Sequence, residues 1–150
     1  MVDQSAVGTV QPPYDMVVER GKIREFARAT MSRNPDYLHD PTPVSEPTFL
    51  MTSAFWADSK ASSFTAGLDI DLARLLHGGQ EFVFHGPPPV AGTKLTAEVR
   101  VDKVYEKEGR RGGTMTFVEM VTEYRDEHGN VAAEARNTLI VTGKVPENEG

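Results

Sequence analysis

The sequence contains no cysteine, which excludes disulfides, thiolate zinc sites, iron–sulfur ligation and cysteine nucleophiles at the outset. Cationic surplus is missing too: 16 Lys and Arg stand against 22 Asp and Glu, a net charge of −6. Neutralising a phosphate backbone needs the opposite balance, so nucleic acid is not an expected partner. No apolar run approaches the roughly 18 residues that a membrane-spanning helix requires, so no membrane span is expected. The opening residues lack both a basic start and an apolar stretch; no secretory leader is expected, and a cytoplasmic location is. The patterns GxGxxG, GxxxxGK, GxSxG and HExxH are absent, which leaves no nucleotide-phosphate loop, nucleophile elbow or zinc-protease helix to consider.

What is there amounts to one domain. A chain of 150 residues buries roughly 68–70% of the surface its unfolded form exposes, enough for a core with a small-molecule pocket in it. We expect a single domain over residues 1–150, with flexible ends at about 1–13 and 144–150. Over residues 19–30, Ile23, Phe26, Ala27 and Thr30 recur at helical spacing while Arg20, Arg24 and Arg28 stack on another face. An amphipathic helix follows. It should stop near Arg33, because Pro35 disfavours helical geometry at Asn34, and Pro41, Pro43 and Pro47 should keep the next stretch irregular.

A second apolar stretch, residues 48–64, holds Phe49, Leu50, Met51, Ala54, Phe55, Trp56 and Phe64 with hardly a charge. It reads as a mostly buried helix. From His77 the period changes to two: Phe82 and Phe84 share one side of a strand ending at Pro87, Pro88 and Pro89. Leu95, Ala97, Val99 and Val101 alternate with polar residues, and residues 115–124 and 131–141 supply two further strands beyond turn-forming loops. Helices come first, then an antiparallel meander of about four strands whose inner face needs a cover. The fold class is α+β, with residues 48–64 as the covering helix. An open meander would leave an unpaired edge, so an oligomer is expected.

Residues 26–41 read F-A-R-A-T-M-S-R-N-P-D-Y-L-H-D-P. This resembles the hydratase motif of the MaoC-like, R-specific enoyl thioester hydratases and dehydratases: an aromatic-Ala start, Gly-Asp-x-Asn-Pro-apolar-His, then an acidic residue and often Pro. The stretch from Leu76-His77-Gly78-Gly79 to Phe82 and the stretch from Pro89 to Leu95 look like the dehydratase region of type I fatty acid synthases. The opening helix, V-E-R-G-K-I-R-E-F-A from Val18, is similar to that of small subunits of two-subunit (3R)-hydroxyacyl-thioester dehydratases. The resemblance runs from about Val17 to Thr142. It implies a hot-dog fold, an antiparallel sheet wrapped around a central helix.

The resemblance also implies a chemistry and exposes a departure from it. Adding or removing water across a thioester-conjugated double bond needs a group that moves a proton and donors for an enolate-like oxygen. In the family an Asp–His pair does the first. Aligned on Asn34 and Pro35, the acidic slot here holds Ser32 and the histidine slot Tyr37. A hydroxyl is no carboxylate, and a phenol with a pKa of about 10 is a poor base at neutral pH. His39 and Asp40 lie two and three residues beyond Tyr37, but Asp40-Pro41 reads more simply as a turn.

The resemblance therefore implies a subunit of an R-specific hydratase or dehydratase acting on 2-enoyl/3-hydroxyacyl thioesters of coenzyme A or acyl carrier protein. This chain would be the substrate-binding, non-catalytic partner of a motif-bearing MaoC-like subunit, in a heterodimer or dimer of heterodimers; a homodimer is the other possibility. Substrate-binding candidates are Asn34, Phe49, Phe55, Trp56 and His77. No cofactor and no metal is expected: His77 and His85 share a face of one strand but stand roughly 26 Å apart. Two alternatives keep the fold: a hot-dog thioesterase using Glu46 or Asp58, and a non-enzymatic acyl-thioester-binding protein. The basic clusters Lys103, Lys107, Arg110, Arg111 and Arg20, Arg24, Arg28 read as solvated charge.

Overall fold

The computed structural model describes residues 2–57, 68–109 and 113–143. Its elements are β1 (Tyr14–Val17), α1 (Arg20–Ala29), α2 (Pro35–Leu38), β2 (Leu75–Phe84), β3 (Lys94–Glu108), β4 (Thr114–Arg125) and β5 (Val131–Val141), with 3-10 turns at Gln4–Ala6, Phe49–Phe55 and Leu72–Arg74. The strands form one antiparallel sheet in the order β1-β3-β4-β5-β2. Among the described residues no helix is long and apolar enough to cross a membrane.

Three features depart from expectation. The meander is β3-β4-β5 only, because β2 crosses to pair with β5 at the far edge. Period-two patterning tells which face a residue takes and is silent on which strand lies beside it. The N-terminal stretch, expected to be mobile, is packed: Val2 is buried, the Gly8 amide donates to Val101 O, and Val10 bridges to Arg100. It leads into β1, a four-residue edge strand whose alternation is too short to stand out beside Pro12 and Pro13. Residues 144–150 lie outside the described residues.

The third departure concerns the covering segment. Its described part is a 3-10 helix, Phe49–Phe55, with a turn at Trp56; residues 58–64 of the expected helix, with Asp58 and Phe64, lie outside the described residues. Amide donations run three residues back, from Phe49 to Glu46 O, Met51 to Thr48 O and Trp56 to Ser53 O. Phe49 and Leu50 are buried, whereas Phe55 is 79% exposed. Tight winding puts residues three apart in line rather than on an α-helical stripe, so only part of the apolar run reaches the core.

α1 forms where the periodicity places it and buries Ile23 and Ala27. It ends four residues short of Arg33. The Thr30 hydroxyl folds back onto Phe26 O and Ala27 O, Met31 takes a left-handed φ of 57°, and the amides of Met31 and Ser32 donate to Arg28 O and Ala27 O. This is a helix-closing Schellman motif with methionine where glycine is usual. The stretch expected to be irregular holds one helical turn, α2, which Asn34 caps by accepting the Asp36 amide at 3.0 Å, with Pro35 at the favoured first position.

One face of the sheet carries the core in two clusters. One joins Met16, Val18, Ile23, Phe49, Leu50 and Tyr124 with the small residues Ala97, Ala133 and Ala135. The other joins Val2, Val101, Val104, Val118, Met120 and Leu139.

Candidate functional site

Between those clusters lies a cleft of about 80 Å³, several times the roughly 10–15 Å³ that one water occupies on the same measure. The strand register explains it. One row across this core-bearing face runs Tyr14, Ala97, Tyr124, Ala133, Phe84, each opposite the next. The next runs Val99, Thr122, Ala135, Phe82, and a third brings Met120, Asn137 and Gln80 together. Alanines in the first two rows leave a hollow flanked by larger neighbours. The 3-10 segment roofs it with Leu50, Met51, Ser53 and Ala54.

Three of the hydroxyls in this hollow form a chain, with that of Thr122 lining it separately. Tyr14 Oη donates to Ser53 Oγ at 3.2 Å, Ser53 Oγ and Tyr124 Oη are 2.8 Å apart, and Tyr124 Oη donates to Leu50 O at 3.3 Å. A carbonyl only accepts and each hydroxyl has one proton, so the direction is fixed: Tyr14 to Ser53 to Tyr124 to Leu50. Burial pushes both phenols above their ordinary pKa, which keeps them neutral and makes neither a base. Gln80 and Asn137 face the same hollow. None of these residues was singled out in the sequence. The signal was available: Gln80 stands in step with Phe82 and Phe84, and Asn137 with Ala135 and Leu139, polar groups on otherwise apolar faces.

The residues that were singled out are scattered. Ser32 Oγ accepts the Asn34 amide at 3.3 Å. Tyr37 and Trp56 are half-buried against the first core cluster. Phe49 is buried in that cluster, edge-on to Phe26 with ring centroids 5.8 Å apart. The exposed Phe55 ring lies 5.5 Å from Lys22 Nζ. His39 closes α2 through its backbone amide, and Asp40 Oδ1 accepts the Thr42 amide at 2.7 Å.

His77 and His85 do not share a face. A bulge between His77 and Gly79 sets His77 opposite Leu139, on the side of Gln80, Phe82 and Phe84; His85 lies on the other side, 2.9 Å from Glu134 through Nε2. Extra residues of this kind reverse the alternation behind them. Among the described residues no group of three potential ligands is close enough to hold a metal.

Glu46 is 6% exposed, neither carboxylate oxygen has a hydrogen-bond partner among the described residues, and burial pushes its pKa up. The oxygens do not reach the cleft's lining. Of the basic clusters, Lys103 pairs with Glu119 at 3.2 Å and Lys107 lies 5.1 Å from the rings of Tyr105 and Phe117. Arg110 and Arg111 lie outside the described residues. Arg20 and Arg28 are exposed and Arg24 half-buried on α1.

A family model described as the FAS1-like dehydratase domain region matches residues 5–135. A UPF0336 protein of Saccharopolyspora erythraea is 32% identical over 99% of this chain and 97% of its own length. In structure the chain is similar to one from the C-terminally truncated HadBC (3R)-hydroxyacyl-ACP dehydratase complex of Mycobacterium tuberculosis, with a TM-score of 0.72, 26% identity, and coverage of 93% of this chain and 98% of that one. It is similar in fold to a chain of the ChsH1–ChsH2 complex of the same organism, with a TM-score of 0.66, 13% identity, and coverage of 93% and 87%. The sheet order, the helical cover and the match over most of the sequence agree: this chain has the hot-dog fold of the MaoC-like dehydratases and belongs to the FAS1-like dehydratase-region family.

Proposed function

We propose that this chain is the substrate-binding subunit of a two-subunit R-specific dehydratase or hydratase acting on 2-enoyl/3-hydroxyacyl thioesters, with the proton-moving Asp and His supplied by a motif-bearing hot-dog partner. The observation that carries the reading is the condition of the two motif slots. Ser32 holds a turn through its hydroxyl, and Tyr37 packs against the core. Neither group can take a proton from an alpha carbon at neutral pH.

Two observations support a partner. β2 is a ten-residue strand at the sheet edge, paired with β5 and with no other strand among the described residues, and Leu76 on it is 43% exposed. A long edge of this kind is normally covered. The HadBC and ChsH1–ChsH2 neighbours are complexes of unlike chains. The reaction moves a proton and a water and needs no cofactor.

Purified chain alone should leave crotonyl and longer enoyl-CoA unhydrated, and activity should appear on adding a hot-dog subunit with an intact G-D-x-N-P-x-H motif. Full turnover by the chain alone overturns the reading. Thioester hydrolysis by Glu46 is disfavoured, because its oxygens are out of contact with solvent and a hydrolytic carboxylate must reach a water.

A further inference from the structure

The cleft under the 3-10 segment is lined mainly by apolar side chains but carries a band of polar groups that a hydrocarbon tail does not require. The hydroxyl chain begins at Tyr14, whose proton is committed to Ser53, so its oxygen offers the cleft a lone pair. The Asn137 carboxamide has no hydrogen-bond partner among the described residues, and Gln80 makes a single long contact, 3.4 Å to Glu81 O, with its amide nitrogen. The cleft thus presents an acceptor at one wall and amides, which donate and accept, at another. A methylene chain lying here would strip water from these groups and return nothing. A ketone could accept from an amide but would leave Tyr14 unmet. A hydroxyl answers both.

We propose that this cleft binds a hydroxyl carried by the acyl group at a position other than the reacting one, so that the preferred substrates are thioesters of acyl groups bearing a second hydroxyl. The proposal rests on the substrate-binding reading above, under which the reacting 3-hydroxyl belongs at the partner's Asp and His. The polar band selects the substrate; the partner transforms it.

The test is equilibrium binding, by calorimetry, to the full chain alone and with its motif-bearing partner. The probes are saturated acyl-CoA thioesters of equal length bearing no oxygen, an oxo group, or a hydroxyl placed at successive positions. One remote hydroxyl position should bind about tenfold tighter than the plain chain, with the matching oxo compound between them. Tyr14→Phe and, separately, Asn137→Leu should erase most of that preference, the ratio of hydroxylated to plain binding falling toward one, with the plain chain binding as tightly or more tightly because no polar group is stripped of water. Equal or weaker binding of every hydroxylated probe overturns the proposal, as does a preference confined to the 3-position or one that survives both variants. In those cases plain acyl-CoA still binds and the substrate-binding reading stands. Failure of every thioester to bind, with and without the partner, removes both.

Discussion

The hydroxyls of Ser53 and Tyr124, 71 positions apart, meet at 2.8 Å. Tyr124 is on the middle strand of the sheet and Ser53 on the segment that roofs it, so this contact and the Tyr124 bond to Leu50 O fasten roof to floor. Removing the serine oxygen would leave the Tyr14 proton without its acceptor in a half-buried site. We expect Ser53→Ala to cost about 1–3 kcal/mol. Urea unfolding should show a lower midpoint at unchanged slope, which separates lost stability from altered compactness.

Glu46 provides a pH test. Its folded pKa is raised by burial, so the folded state holds its proton to higher pH than the unfolded chain does. The contribution to stability is therefore undiminished below the ordinary carboxylate pKa and falls as pH climbs from there through the raised value. Glu46→Gln should match the wild type near pH 4 and exceed it at neutral pH. Thermal melts of both proteins across that range check it; a gap that stays constant with pH contradicts the assignment.

Ser32 and Tyr37 hold the motif slots without doing the motif's work. In the complex reconstituted with a motif-bearing partner, Ser32→Ala and Tyr37→Phe should each leave kcat/KM within about twofold. Replacing the partner's motif Asp or His should abolish turnover. Steady-state rates with an enoyl-CoA decide between the two patterns.

Met31 closes α1 at a φ of 57° with its side chain 85% exposed. Left-handed backbone costs most residues about 1 kcal/mol that glycine does not incur. Met31→Gly should raise stability by about 0.5–1 kcal/mol, read as a higher urea midpoint with acyl binding unchanged.

If β2 is the edge that the partner covers, its backbone amides should gain protection on mixing. Hydrogen exchange of the chain alone and in the complex should show slowing in residues 75–84, and less in β1. No change in β2, or an equal change in every strand, would place the contact elsewhere.

How much of this was legible beforehand varies by element. β5 carries the span read from its alternation, since each of its inward residues meets a buried face. β3 and β4 run longer at their ends than the patterning indicated; in β3 a bulge between Val101 and Lys103 breaks the alternation and brings Val104 to the core instead of an even-step residue. α1 was legible from Ile23, Phe26 and Ala27. β1 was not, because four residues on an edge leave little periodicity to see. Strand order was hidden as well: nothing in Phe82 and Phe84 says that they lie against Ala135 and Ala133.

The site was read least well. Motif comparison led to Ser32 and Tyr37, positions fixed by neighbours in sequence. The hydroxyl chain of Tyr14, Ser53 and Tyr124 draws on an edge strand, a roof and a central strand, a convergence that only the folded register creates. Gln80 and Asn137 were visible one at a time as polar residues on apolar faces; their adjacency was not.

The bulge at Gly78 acts as a one-tooth ratchet on β2. A slip that ironed it out would bring Leu76 to the place that Leu75 holds opposite Val141 and would put Gly78 where His77 now faces Leu139. Leucine meets the core in either setting, so hydrophobic anchoring is indifferent to the choice. A Cβ at Gly78 would come within 2.7 Å of Ile140 Cδ1, so a larger residue there requires the isoleucine to turn aside. What the tooth decides is whether an imidazole or a bare backbone stands opposite Leu139.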